Sequence, residues 1–209
     1  MKMKTIVFQG DSITDATYPR QYPTELGNGY VTMTSGRITL DYPGQYRCFN
    51  RGVSGNRSVD MYARIKRDVL NLKPDILTVL IGVNDVWHEF GSQNGVSAEK
   101  YEMILKLFIQ EVRLELPECK IILLEPFVLN GTACESCFEA FSEEVLLRAA
   151  ACKRVSEEFG LPFIPLQDKI SALAAATENA YVLHDGVHPT PAGHCLIADE
   201  LYACLKSIL

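Results

Sequence analysis

Ser12 ends an apolar run in FQGDSITDA (8–16), where a glycine, an acid and a hydroxyl stand in place of residues that would simply reverse the chain. A hydroxyl is a poor nucleophile until a neighbouring base takes its proton. His188, in HDGVHPT (184–190), can be that base, and Asp185, three residues earlier across an Asp-Gly pair, can hold the imidazole in the required tautomer from within the same loop. Acyl transfer also needs donors aimed at the oxyanion that develops on the attacked carbonyl. The Ser12 amide, the amide of Gly52 or Gly55 in NRGVSGNRS (50–58), and the side chain of Asn84 in GVND (82–85) suit that task. Asp11 can cap the following turn and contact substrate, and Trp87 and His88 follow GVND closely enough to line a pocket mouth. Ser54 is a rival hydroxyl without an aspartate and histidine pair directed at it, and the G-x-S-x-G pattern does not occur. His184 is a rival base, but it directly precedes Asp185 and is hard for that residue to orient; His194, early in the last helix, is expected at the surface.

These residues need elements that bring them together. Short apolar runs predict strands at 4–9, 46–50, 75–81, 120–125 and 161–165, and helical periodicity predicts helices near 58–72, 98–116, 139–159, 169–176 and 192–207. YPRQYP reads as loop, and GYVTMTSGRITLDYP as a helix ending at Pro43 rather than an alternating strand. Strands alternating with helices imply parallel pairing through right-handed crossovers, and runs such as ILTVLI imply burial on both faces. The expected fold class is α/β: a single-domain, three-layer α/β/α sandwich with a five-stranded parallel sheet in the flavodoxin-like order 2-1-3-4-5. Sites in such sheets lie beyond the carboxyl ends of the strands. GDS, NRGVSGNRS and GVND follow strands one, two and three, so they share one edge, and the loop before the last helix can return HDGVHPT to it.

Composition narrows the function classes. The chain has 209 residues, 47% hydrophobic and 22% charged, and its apolar runs are too short to cross a bilayer. The net charge is -6 with 20 scattered basic residues, which argues against a nucleic-acid partner. MKMKTIVFQGDS reads as a first strand rather than an export signal, and seven dispersed cysteines suit reduced thiols, so a cytoplasmic location is expected. Cys48, Cys119, Cys152, Cys195 and Cys204 are expected as small core residues, and Cys134 and Cys137 as part of a loop or helix start, since no second pair or nearby histidine completes a metal set. Arg51 and Arg57 are expected to be solvated or locally paired.

The blocks GDSIT, GVSGNRS, GVND and DGVHP, in that order and across almost the whole chain, resemble those of the SGNH or GDSL family of serine esterases and acylhydrolases. The resemblance implies Ser12 as nucleophile, Asp185 and His188 as the rest of the triad, and Gly55 and Asn84, with the Ser12 amide, as the oxyanion hole. It favours Gly55 over Gly52 because Gly55 precedes a polar residue and the next helix. Ile13 stands where the family often has leucine. The implied activity is hydrolysis of short acyl esters, acetyl esters of carbohydrates first, with no metal or other cofactor; lysophospholipid and thioester substrates fit the same family. A different class, a flavin-binding flavodoxin-like module, could use the hydroxyls of Ser12, Thr14 and Thr17, but Asp11 and Asp15 disfavour a phosphate there and Asn84 and DGVH would have no task.

Overall fold

In the computed structural model, which describes residues 3–17 and 25–209, the sheet is five-stranded and wholly parallel, in the order β2-β1-β3-β4-β5. Its strands are β1 (Lys4–Gly10), β2 (Tyr46–Gly52), β3 (Ile76–Leu80), β4 (Lys120–Leu124) and β5 (Phe163–Ile164). Their side chains alternate between two hydrophobic cores. Ile6, Phe8, Ile76, Leu80, Ile122 and Leu124 point to the core covered by α2 (Tyr30–Asp41), α8 (Gln167–Ala176) and α10 (Pro191–Lys206). Val7, Leu77, Val79, Ile121 and Leu123 point to the opposite core, under α3 (Ser58–Ala63), α4 (Ile65–Asp68) and α6 (Ala98–Glu115). The long α7 (Phe138–Phe159) serves both, Phe141 and Val145 in the first and Ala151, Cys152 and Val155 in the second. The sandwich and strand order expected from the sequence are therefore present.

Register aligns the strand ends: Gly10 of β1 lies between Gly52 of β2 and Leu80 of β3, and Leu80 is paired with Leu124 of β4. Four chain segments leave the sheet on one level. The first becomes α1 (Ser12–Asp15) and the third α5 (Val83–Ser92), while α9 (Asn179–Val182) precedes the loop to α10.

Some expectations need correction. The stretch 58–72 is not one helix but α3, α4 and a short 3-10 turn at Leu70–Leu72. The break falls at Arg64, whose guanidinium donates to the Gly10 and Arg51 carbonyls at the ends of β1 and β2 and to Asp68; a side chain recruited to the sheet rim interrupts the regular turn. A helix not expected from the sequence, α5, begins at Val83 directly after β3, so Asn84 of GVND stands in its first turn. Of the five cysteines expected in the core only Cys152 is buried; Cys48, Cys119 and Cys204 are half-buried, and Cys195, on the outer side of α10, is exposed. Residues 30–41 form the helix expected there, whereas YPRQYP lies outside the described residues.

Candidate active site

Ser12 is the first residue of α1. Asp11 precedes it as the cap, its carboxylate accepting from the Ile13 amide at 3.0 Å. The cap fixes the turn that exposes the Ser12 hydroxyl, and the Ser12 amide, in the first turn, has no acceptor within the helix. Asp11 itself is 1% exposed and does not line the cavity, so its expected substrate contact gives way to capping. Burial pushes its carboxyl up to about 7, against the lowering influence of the Ile13 amide and of His188.

Ser12 Oγ lies 2.9 Å from His188 Nε2, and His188 Nδ1 lies 2.7 Å from Asp185 Oδ2. With the carboxylate ionised, Nδ1 carries the proton of the neutral ring and Nε2 is free to accept from the hydroxyl. The other Asp185 oxygen accepts from the Val187 and His188 amides at 2.9 and 2.7 Å, which locks the carboxylate to its loop. Burial raises the Asp185 carboxyl, but the hydrogen bonds from the His188 ring and these amides outweigh it and hold the group well below the usual carboxylate range. The Asp185 bond raises His188 above the ordinary imidazole value, with burial opposing it. His184 lies outside this series: its side chain is 62% exposed, and its Nε2 is 3.7 Å from Asp185 Oδ2.

A cavity of about 360 Å³ opens beside the hydroxyl, lined by Ser12, Ser54, Gly55, Asn84, Trp87, His88 and His188. The Trp87 ring stands 5.7 Å from that of His188. Gly55 sits in the Val53–Asn56 turn at φ +80°, a conformation that favours glycine. Gly52 is instead buried at the end of β2, paired with Gly10. Asn84, in the first turn of α5, donates from Nδ2 to the Asn56 carbonyl at 3.2 Å and has a second amide hydrogen to offer the cavity.

Several bracing residues escaped the sequence reading. Asp85 accepts from the Ser58 amide and hydroxyl and so ties α5 to α3; burial raises its carboxyl to about 6, opposed by those Ser58 bonds. Asp15 accepts from the amide and hydroxyl of Ser54, which holds the Gly55 turn against α1 and engages the rival hydroxyl. Asn50 donates to the carbonyls of Thr14 and Leu26 and accepts from the Gly52 amide. Polar residues at the ends of apolar strands, as in CFNRG and GVND, were the available signal. His194 is buried rather than at the surface: its Nδ1 accepts from the Tyr30 amide, which starts α2, and burial lowers its imidazole to about 4. Arg57 is paired, with Asp60 and Asn94, and Arg51 lies over Phe49.

An α/β sandwich that presents a hydroxyl, an imidazole and a carboxylate in series beside a cavity belongs to the hydrolytic enzymes. Comparison with known proteins narrows the class. The model of the GDSL-like Lipase/Acylhydrolase family matches residues 8–196, and the chain belongs to that family. An acetylxylan esterase of Geobacillus stearothermophilus is 32% identical over 203 residues, 92% of this chain and 90% of that protein. A crystal structure of a GDSL-like lipase from Parabacteroides merdae superposes with a TM-score of 0.92 at 32% identity, covering 98% of each chain. A structure of the Geobacillus acetylxylan esterase gives 0.85 at 29% identity, covering 97% of this chain and 95% of that one. Variants of that esterase described as catalytic mutants replace a serine, an aspartate and a histidine, the last two three residues apart. The protein is thus a carboxylic ester hydrolase, and the flavin-binding alternative is set aside. Among the described residues no helix is long and apolar enough to cross a membrane.

Proposed function

We propose that the protein is a serine esterase that removes short acyl groups, acetyl above all, from carbohydrate esters through an acyl-enzyme. The observation that carries this reading is the continuous series Ser12 Oγ, His188 Nε2, His188 Nδ1 and Asp185 Oδ2, with contacts of 2.9 and 2.7 Å, at the edge of the cavity. In the first half-reaction Ser12 Oγ attacks the ester carbonyl while His188 Nε2 takes its proton. The Ser12 and Gly55 amides and Asn84 Nδ2 receive the oxyanion. Its collapse breaks the bond to the alcohol, which leaves with the proton from His188. In the second, water gives a proton to His188 and attacks the acyl carbon; the tetrahedral intermediate releases the carboxylic acid and returns the proton to Ser12.

Trp87 and His88 line the cavity beside Ser12, where an aromatic wall next to the hydroxyl supports a short acyl group on a ring-shaped alcohol. The Trp87 indole supplies an apolar face with one donor, suited to a sugar ring. The acetylxylan esterase supports the carbohydrate assignment, and Asp185 and His188 share the spacing of its aspartate and histidine.

The test is an acyl-length series of aryl esters, from acetyl to decanoyl, followed by acetylated xylooligosaccharides, lysophospholipids and acyl thioesters. Acetyl should give the highest kcat/KM, acetylated sugars should be deacetylated, and Ser12→Ala should lower turnover by on the order of 10⁴-fold or more while leaving the fold intact. Activity should survive chelation. Preference for decanoyl or lysophospholipid would overturn the acetyl reading, and full activity in Ser12→Ala would overturn the mechanism.

A further inference from the structure

His184, Asp185 and His188 share one end of the hairpin closed by the Leu183 and Pro189 bridge, with the His184 amide donating to the His188 carbonyl. One donor atom from each of the three lies within 4.8 Å of the others. The His184 and His188 rings are stacked, their centroids 5.7 Å apart and their planes 21° from parallel. His184 Nε2 and His188 Nδ1 both face Asp185 Oδ2, at 3.7 and 2.7 Å. Ester hydrolysis as derived above needs no contribution from His184, which does not line the cavity.

Two imidazoles and a carboxylate form a donor set for a borderline divalent ion of the zinc type, with water completing the shell. The exposed His184 gives such an ion a path from solvent. We propose that His184, Asp185 and His188 form an inhibitory site for a zinc-type divalent ion, with His184 as the ligand that the hydrolytic reaction does not otherwise use. Bonds of about 2.0–2.2 Å in a tetrahedral shell place donors roughly 3.4 Å apart. The Nδ1 to Oδ2 contact must therefore open slightly, and His184, 3.7 Å from Oδ2 and within 4.8 Å of the His188 donor, must move in, which its surface position permits. Among the described residues Cys134 and Cys137 do not join such a group.

The inhibition follows from the ring's single proton. Without the ion, the neutral His188 ring carries that proton on Nδ1, facing Asp185, and Nε2 can accept from Ser12. An ion bound at Nδ1 takes the lone pair there, and the proton moves to Nε2, 2.9 Å from Ser12 Oγ. No proton leaves the neutral ring, but Nε2 becomes a donor and can no longer deprotonate the hydroxyl. This consequence rests on His188 as the base of the proposed mechanism; binding of the ion does not.

Calorimetric titration of zinc chloride into chelator-dialysed Ser12→Ala protein tests the site without reference to turnover. One ion per chain is expected, with affinity at least tenfold weaker in the Ser12→Ala, His184→Phe double variant, which keeps an aromatic ring and loses the donor. In the active background His184→Phe should hydrolyse aryl acetates normally but need at least tenfold more zinc for half inhibition, and EDTA should restore the inhibited wild type. Cys195→Ser, which removes an exposed thiol, should leave zinc affinity and inhibition unchanged. Absence of binding below millimolar zinc, or affinity indifferent to His184→Phe, would overturn the site. Binding through His184 with turnover unaffected would overturn its inhibitory role. A wild type inactive on every ester would defeat the proposed function while leaving the calorimetric result to stand by itself.

Discussion

His188 illustrates how one contact sets a working range. The Asp185 hydrogen bond raises its imidazole above the ordinary 6.5, although burial opposes the change. In the proposed mechanism His188 is the base and must be neutral, so kcat/KM on an uncharged ester should climb with pH through a single ionisation lying above 6.5. Asp185→Asn removes the raising influence and leaves the wrong tautomer favoured, so the limb should move to lower pH and kcat fall by about 10⁴-fold. A pH profile of initial rates in both proteins checks this, and an unmoved limb would assign the ionisation to another group. Asn84→Ala should cost about 10²–10³ in kcat with little change in KM, as for the loss of one oxyanion donor. The meeting of Ser12, Asp185 and His188, with Asn84 on the cavity wall beside them, was legible in the sequence because acyl transfer demands those residue types and short spacing within each block. Asp85, Asp15 and Asn50 were not, because their partners lie across elements: Ser58, Ser54 and Leu26 are neighbours of these groups only after folding. His194 misled for the same reason, as its early place in an amphipathic helix gives no sign that Tyr30 will pack over it.

Elements place these side chains by leaving the sheet at one level and being tied to one another. The loop carrying Asp185 and His188 is held by the segment after β4: the Ala133 amide donates to the Asp185 carbonyl at 2.9 Å, and the Leu129 amide to that of Gly186 at 2.9 Å. Gly131 permits this approach, since a Cβ there would lie 2.4 Å from the Asp185 carbonyl carbon and oxygen. Backbone has no rotamer with which to yield, so Gly131→Ala should push the loop away from Ser12. The expected outcome is a loss of about 1–3 kcal/mol in urea unfolding, together with a fall in kcat of at least tenfold, because an ångström of misplacement between the proposed nucleophile and base is costly. Wild-type stability and turnover in this variant would mean that the loop is positioned by its own hydrogen bonds alone. The strands could be read from their apolar runs, and most helices from their periodicity. The break at Arg64 and the helix begun by Val83 could not, since the first depends on a guanidinium finding the carbonyls of Gly10 and Arg51 and the second on a polar segment continuing directly from a strand.

At the scale of the whole molecule, a sheet order of 2-1-3 gathers three strand ends, and a fourth segment from near the carboxyl terminus covers them, so buried polar groups collect at that edge. Their titration links the site to folding. His194 has its imidazole lowered to about 4 by burial, so between 6.5 and 4 the unfolded chain takes up a proton that the folded chain refuses. Its contribution is complete above 6.5 and is lost as pH falls through that window. Asp11 runs the other way: its carboxyl is raised from 3.8 to about 7, so the folded chain takes up a proton first and loses stability as pH rises between those values. Urea unfolding at pH 7 and pH 4.5 separates the two. Relative to His194→Asn, which keeps an acceptor for the Tyr30 amide, the wild type should lose on the order of 2–3 kcal/mol on going to the lower pH. Relative to Asp11→Asn it should gain on the same change. Parallel stability curves for wild type and both variants would show that neither group changes its protonation on folding, and would place the acid response of the fold elsewhere.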